Sequence, residues 1–153
     1  MRAGFTMVEL LLIMGIFAIL ASLTSISFFG SLKVANLDQT YQVLIADLRQ
    51  TQANAMSGLT SSSGTYLAGW GIKILPNSYI IFPGTSYVEG FSGNRIVTLT
   101  DDVSLSSTFA SSQVVYESGS GDIQNYNNGA NSITIQSGAS LKTVNLNRYG
   151  AEL

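Results

Sequence analysis

The stretch ELLLIMGIFAILASLTSISFFGSLK, residues 9–33, decides the fold: between Glu9 and Lys33 lie 23 residues without a charge. At about 1.5 Å rise per residue, a helix of that length covers roughly 35 Å, enough for a bilayer core of about 30 Å. Of the first 32 residues 21 are hydrophobic, and only Arg2 and Glu9 are charged. The following 121 residues hold 49 hydrophobic and 14 charged residues, a composition a soluble domain can have. The chain therefore reads as an N-terminal span followed by a globular body. A secretory signal peptide has a shorter apolar core and rarely an acid at its start, where Glu9 stands here. Arg2 and the initiator amine favour a cytoplasmic N-terminus.

Beyond the span the pattern becomes amphipathic. Leu37, Tyr41, Leu44, Ile45 and Leu48 recur at spacings of three and four, and Ala55 and Met56 continue the face. One helix from about Phe5 to Met56 would be roughly 78 Å long. Gly58 and the Ser61-Ser62-Ser63-Gly64 cluster are expected to end it. The period then switches to two. Gly71–Leu75 and Tyr79–Phe82 flank Pro76-Asn77-Ser78 as one hairpin, and Ile133–Ile135 and Lys142–Leu146 flank Ser137-Gly138-Ala139-Ser140 as another. Ile96–Leu99 and Val114–Tyr116 supply further strands. No helical pattern returns after Met56. The expected fold is α+β: a long N-terminal helix, transmembrane in its first half and amphipathic in its second, packed on an antiparallel β-sheet domain.

Whole-chain composition removes most enzyme classes. Among 153 residues only 10% are charged, against a usual share of about 25%. The mean hydropathy is +0.29, the net charge −2 and the pI about 4.8. There is no Cys and no His, so a disulfide framework, a thiolate nucleophile, a zinc site of the usual ligands and a Ser-His-Asp triad are excluded. The acidic balance disfavours nucleic acid as a partner. Asp101-Asp102 reads as a turn, because neighbours on a strand point to opposite faces. The Gly-rich segment 118–129 misses the spacing of a calcium-binding EF-hand loop and reads as a solvated loop. No catalytic residue, metal site or cofactor is expected, and the chain is not read as an enzyme.

The most specific feature is Gly4-Phe5-Thr6-Met7-Val8-Glu9-Leu10. A short leader with one basic residue ends in Gly; Phe follows, then a carboxylate at the fifth position from that Phe, then the apolar helix. This resembles the processing signal of type IV prepilins and of the pseudopilins of type II secretion. The resemblance implies a leader at residues 1–4, a transmembrane and filament-core helix at 5–32 and a globular domain at 33–153. It implies cleavage by a prepilin peptidase between Gly4 and Phe5, with Phe5 then N-methylated. It also gives Glu9 an assembly role. A carboxylate one turn into an apolar segment costs about 2.5–3.5 kcal/mol on insertion scales unless paired. The implied partner is the cationic amine of a neighbouring subunit's Phe5, a pair that fixes axial register. Locally, Thr6-x-x-Glu9 also has capping-box spacing, and an acid in the first turn meets the helix dipole favourably.

Many major pilins carry Gly and Pro further along this helix, where Ala18 and Ile26 stand here, so the chain leans toward a minor subunit. Asp47-Leu48-Arg49 with Ala55, Gly69-Trp70-Gly71-Ile72 and Val144–Gly150 loosely resemble the H-type pseudopilin and FimT-like minor pilin subgroup. Arg49 and Arg148 are read as salt-bridge residues and Trp70 as a core anchor. The partners so implied are the peptidase, other pilin subunits, an inner-membrane assembly platform and membrane lipid. The implied location is the bacterial inner membrane, single-pass, with the body periplasmic or extracellular in the assembled filament. Two other readings stay open: a membrane-anchored surface binding protein or adhesin whose helix is only a tether, and a DNA-uptake pilin. Arg148 and Glu152 cancel in the last seven residues, which disfavours the latter.

Overall fold

The computed structural model describes residues 5–58 and 68–153, with the side chains of 23–31 left out. Residues 1–4, expected to be a leader ending in Gly4, and the Ser61–Gly64 cluster lie outside the described residues. One helix, α1, runs from Met7 to Met56, 50 residues or about 75 Å. Thr6 caps it from an extended backbone, its Oγ1 accepting from Glu9 N at 3.2 Å, as the spacing predicts. With no proline inside, nothing interrupts the ladder. It ends where Gly58 turns left-handed at φ 63° and donates its N–H to Ala55 O. The buried residues Leu37, Leu44, Ile45, Leu48, Thr51 and Ala55 form one stripe at helical spacing, all in the second half.

Among the described residues seven strands follow: β1 Gly69–Leu75, β2 Ser78–Pro83, β3 Arg95–Thr98, β4 Val103–Ser107, β5 Gln113–Glu117, β6 Ser132–Ser137 and β7 Ser140–Asn145. Both expected hairpins form, β1–β2 and β6–β7, with registers Ile72↔Ile81 and Ile135↔Lys142. The antiparallel β domain expected from the sequence is built as two sheets. One has the order β3-β2-β1-β5 and the other β4-β6-β7, each antiparallel throughout. The physical reason is β4. Val103 and Leu105 point inward and the serines outward, and the strand pairs with β6 rather than with its neighbour in sequence.

The helical stripe and both sheets share one core. Ile72, Ile74, Val114 and Tyr116 come from the first sheet, and Leu105, Ile133, Ile135 and Val144 from the second. Trp70 packs against this cluster, as expected of an anchor. Segment 118–129 departs from a purely solvated loop. Ile123 is buried in the core, and Gln124 N and Glu117 N bond Val115 O and Asp122 O, which ties the segment to β5. The outer face of the first sheet has a small cover of its own. Phe82 lies over Gly71, where a Cβ would sit 2.4 Å from the ring, and Tyr87 meets Phe82 edge-on at 5.8 Å.

Candidate functional site

The first half of α1 carries an exposed apolar surface from Phe5 to Ser22. Every side chain from Phe5 to Ser22 is exposed. Twelve of them are large and apolar: Phe5, Met7, Val8, four at Leu10–Ile13, Met14, Ile16, Phe17, Ile19 and Leu20. Burying a side chain of this kind is worth about 1.5–3 kcal/mol, so leaving twelve in water forgoes of order 20 kcal/mol. Exposed apolar surface on this scale marks an interaction site. Phe5, Leu10, Ile13 and Met14 line a shallow hollow with no polar side chain among them.

Glu9 is the one charge in this segment and stands exposed in the first helical turn. It has no ion-pair partner among the described residues. Thr6 Oγ1 accepts from its N–H, and among the described residues its carboxylate is left free for another group. Phe5 lies one turn away at the open end, 74% exposed. The structure thus brings Phe5 and Glu9 to one end of one helix, while Gly4 lies outside the described residues. Among those residues, no helix is long and apolar enough to cross a membrane. The uncharged run continues through residues 23–31, which lie outside the described side chains.

The charged groups of the body serve a different purpose, holding the second half of α1 to the sheets. Asp47 accepts from the Tyr79 hydroxyl at 2.7 Å and pairs with Arg95 at 2.7 Å. Burial, then the Asp47 bond and charge, hold the Tyr79 phenol well above its usual range. Lys142 pairs with Asp38 at 2.7 Å and lies over the Tyr41 ring, 4.9 Å from its centre. Asp102 accepts from Asn36 Nδ2 at 3.2 Å and from Ser137 Oγ at 3.4 Å. The Asn36 bond, followed by one from Thr100, draws its carboxyl below the usual value of 3.8. Gln52 Nε2 donates to Gly121 O and Tyr149 O, tying α1 to two loops.

Of the two arginines read as salt-bridge residues, Arg148 meets Asp122 at 3.5 Å. Arg49 makes no ion pair among the described residues, because it faces an open groove beside the C-terminal segment. Asp101-Asp102 is a turn, as expected, yet Asp102 also clamps the helix, a role the sequence reading missed. Its partners Asn36 and Ser137 lie 66 and 35 residues away, so no local pattern announces them. No group of His, Cys, Asp or Glu able to hold a metal occurs among the described residues. The fit for calcium at 118–129 is poor, since its carboxylate, Asp122, is engaged by Arg148.

The chain matches no protein-family model, and no significant similarity to a curated protein or to a solved structure was found.

Proposed function

We propose that the protein is a minor pilin or pseudopilin, a structural subunit of a filament assembled from the bacterial inner membrane. The observation that carries this reading is the exposed apolar half of α1, with a lone, unpaired Glu9 in its first turn beside Phe5. A surface that forgoes so much burial needs a cover. Lipid covers it before assembly, and the same half of neighbouring helices covers it afterwards. Residues 5–32 serve as the membrane and filament-core segment, and the two-sheet body faces outward.

In this reading a prepilin peptidase cuts between Gly4 and Phe5 on the cytoplasmic side and methylates the new amine. The amine of one subunit then meets Glu9 of the next inside the apolar core. A single carboxylate in such surroundings is costly when unpaired, so the pair disfavours every axial register but one. Further partners are an inner-membrane assembly platform and other pilin subunits. The protein is not an enzyme in this reading and needs no cofactor.

Co-expression with a prepilin peptidase, followed by N-terminal mass analysis, tests the assignment. The expected product begins at Phe5 and carries one added methyl group; protein still starting at Met1 would overturn the pilin reading. Glu9→Ala is expected to leave cleavage intact and to abolish recovery of the subunit in sheared filaments. Normal recovery would leave processing standing and remove the register role.

A further inference from the structure

A second site lies on the body, on the outer face of the four-stranded sheet, away from α1. A cleft of about 390 Å³ opens there between the β2–β3, β4–β5 and β5–β6 connections, within the range of small-molecule sites. Alternation along β5 builds its floor: Val114 and Tyr116 go to the core, and Gln113 and Val115 face the cleft.

The lining holds no ionisable side chain. It consists of four carboxamides (Gln113, Gln124, Asn125 and Asn127) and hydroxyls such as those of Thr85 and Ser86, set about a few apolar groups. Elsewhere the body uses its charges as clamps. Lys73, opposite Gln113 in the β1–β5 ladder, donates its ammonium to Ser111 O. The carboxamides retain unused capacity. Gln113 accepts from Tyr87 N through Oε1 at 3.4 Å, which leaves its amide donors over. The side chains of Gln124 and Asn125 make no hydrogen bond with other described residues, though Gln124 is half-buried.

The backbone gives an independent sign. Among the described residues, the non-glycine positions with positive φ are Ser111 (54°), Ser112 (52°) and Asn125 (52°). Ser111 and Asn125 line this cleft and Ser112 adjoins it. Such conformations cost free energy that glycine would avoid, and they gather where side chains must be held in a set position.

We propose that this cleft binds a neutral saccharide. Gln124 and Asn125 each offer a donor and an acceptor side by side, and so does a pair of neighbouring sugar hydroxyls, which permits bidentate pairing; the Oε1 of Gln113 and the Oδ1 of Asn127 already accept from Tyr87 N and Gly129 N. A charged ligand would give up its water for a lining without an ionisable side chain, beside which the Lys73 ammonium is already held by Ser111 O, and that is unfavourable. The site is separate from the exposed half of α1 and does not depend on the filament reading.

The test uses the full chain, ¹⁵N-labelled, in phosphocholine micelles, because a maltoside detergent would itself compete. Neutral hexoses, N-acetylhexosamines and their disaccharides are titrated, with glucuronate and glucosamine as anionic and cationic controls. The expected result is saturable shifts of the Gln113, Gln124 and Asn125 side-chain amides with a neutral sugar, at a Kd of about 1 mM. The charged controls should bind roughly tenfold more weakly, and Gln124→Ala and Thr85→Ala should each weaken binding about tenfold. The backbone spectrum of each variant reports whether it is folded, and exposed Thr85 serves where Gln124→Ala disturbs the fold. Absence of shifts with every neutral sugar would overturn the proposal, as would shifts confined to other residues or equal binding of the charged controls.

Discussion

Two buried tyrosines show how the surroundings of a single hydroxyl set its contribution. Tyr79 and Tyr116 are both nearly inaccessible, at 1% and 0% exposure. The Tyr79 hydroxyl donates to Asp47, whereas that of Tyr116 has no partner among the described residues. A buried donor that is satisfied contributes about 1 kcal/mol, and one that is unsatisfied costs about 1–3 kcal/mol. The same substitution should therefore have opposite signs. Tyr79→Phe is expected to lower stability by about 1 kcal/mol and Tyr116→Phe to raise it by about 1 kcal/mol, both read from urea denaturation. Burial raises both phenol pKa values above 10.0 in the fold. The folded state thus keeps protons that the unfolded state releases. That contribution is complete below pH 10.0 and is lost as pH rises beyond it, so each Phe variant should show a shallower alkaline decline than the parent.

At the scale of elements, α1 was legible and the division of the sheets was not. The helix announces itself through the uncharged run, the stripe from Leu37 to Ala55 and the Thr6–Glu9 spacing, all local patterns. Both hairpins were legible for the same reason, since each pairs strands across a turn of two residues, Pro76-Asn77 or Gly138-Ala139. β4 was not, because its outward positions are serines and its partner β6 lies about thirty residues on. The clamps between elements escaped in the same way, since Asp47, Tyr79 and Arg95 meet only through tertiary packing. Asp102 joins α1 to the second sheet, and its acidity makes the joint testable. Its folded pKa is depressed below 3.8, so its contribution is present above that pH and lost as pH falls through the folded value. Asp102→Asn should accordingly destabilise the protein near neutral pH, as read by thermal melting. The gap to the parent should narrow as the pH is taken below about 3.8.

At the scale of the whole molecule, the low average charge and high hydropathy belong to two unlike parts. Among the described side chains of α1, Leu37 is the first that is buried, and every one before Asn36 is exposed. Among the described side chains, the body's core draws on α1 only from Leu37 to Ala55, so the exposed apolar half should add nothing to the body's stability. Removal of residues 1–32 is therefore expected to leave a folded body whose circular dichroism is that of the parent less the missing helix. Its melting temperature should lie within about 4 °C of the parent's, the shift that about 1 kcal/mol produces in a domain of this size. The same truncation should remove the need for detergent, because it takes away the twelve large apolar side chains that stand exposed. A truncated body that fails to fold would mean that the N-terminal half supports the sheets, and it could not then serve as a segment free to exchange lipid for neighbouring helices. A folded, detergent-free body would instead place the need for a cover wholly in the first half of α1, the half on which the proposed filament role rests.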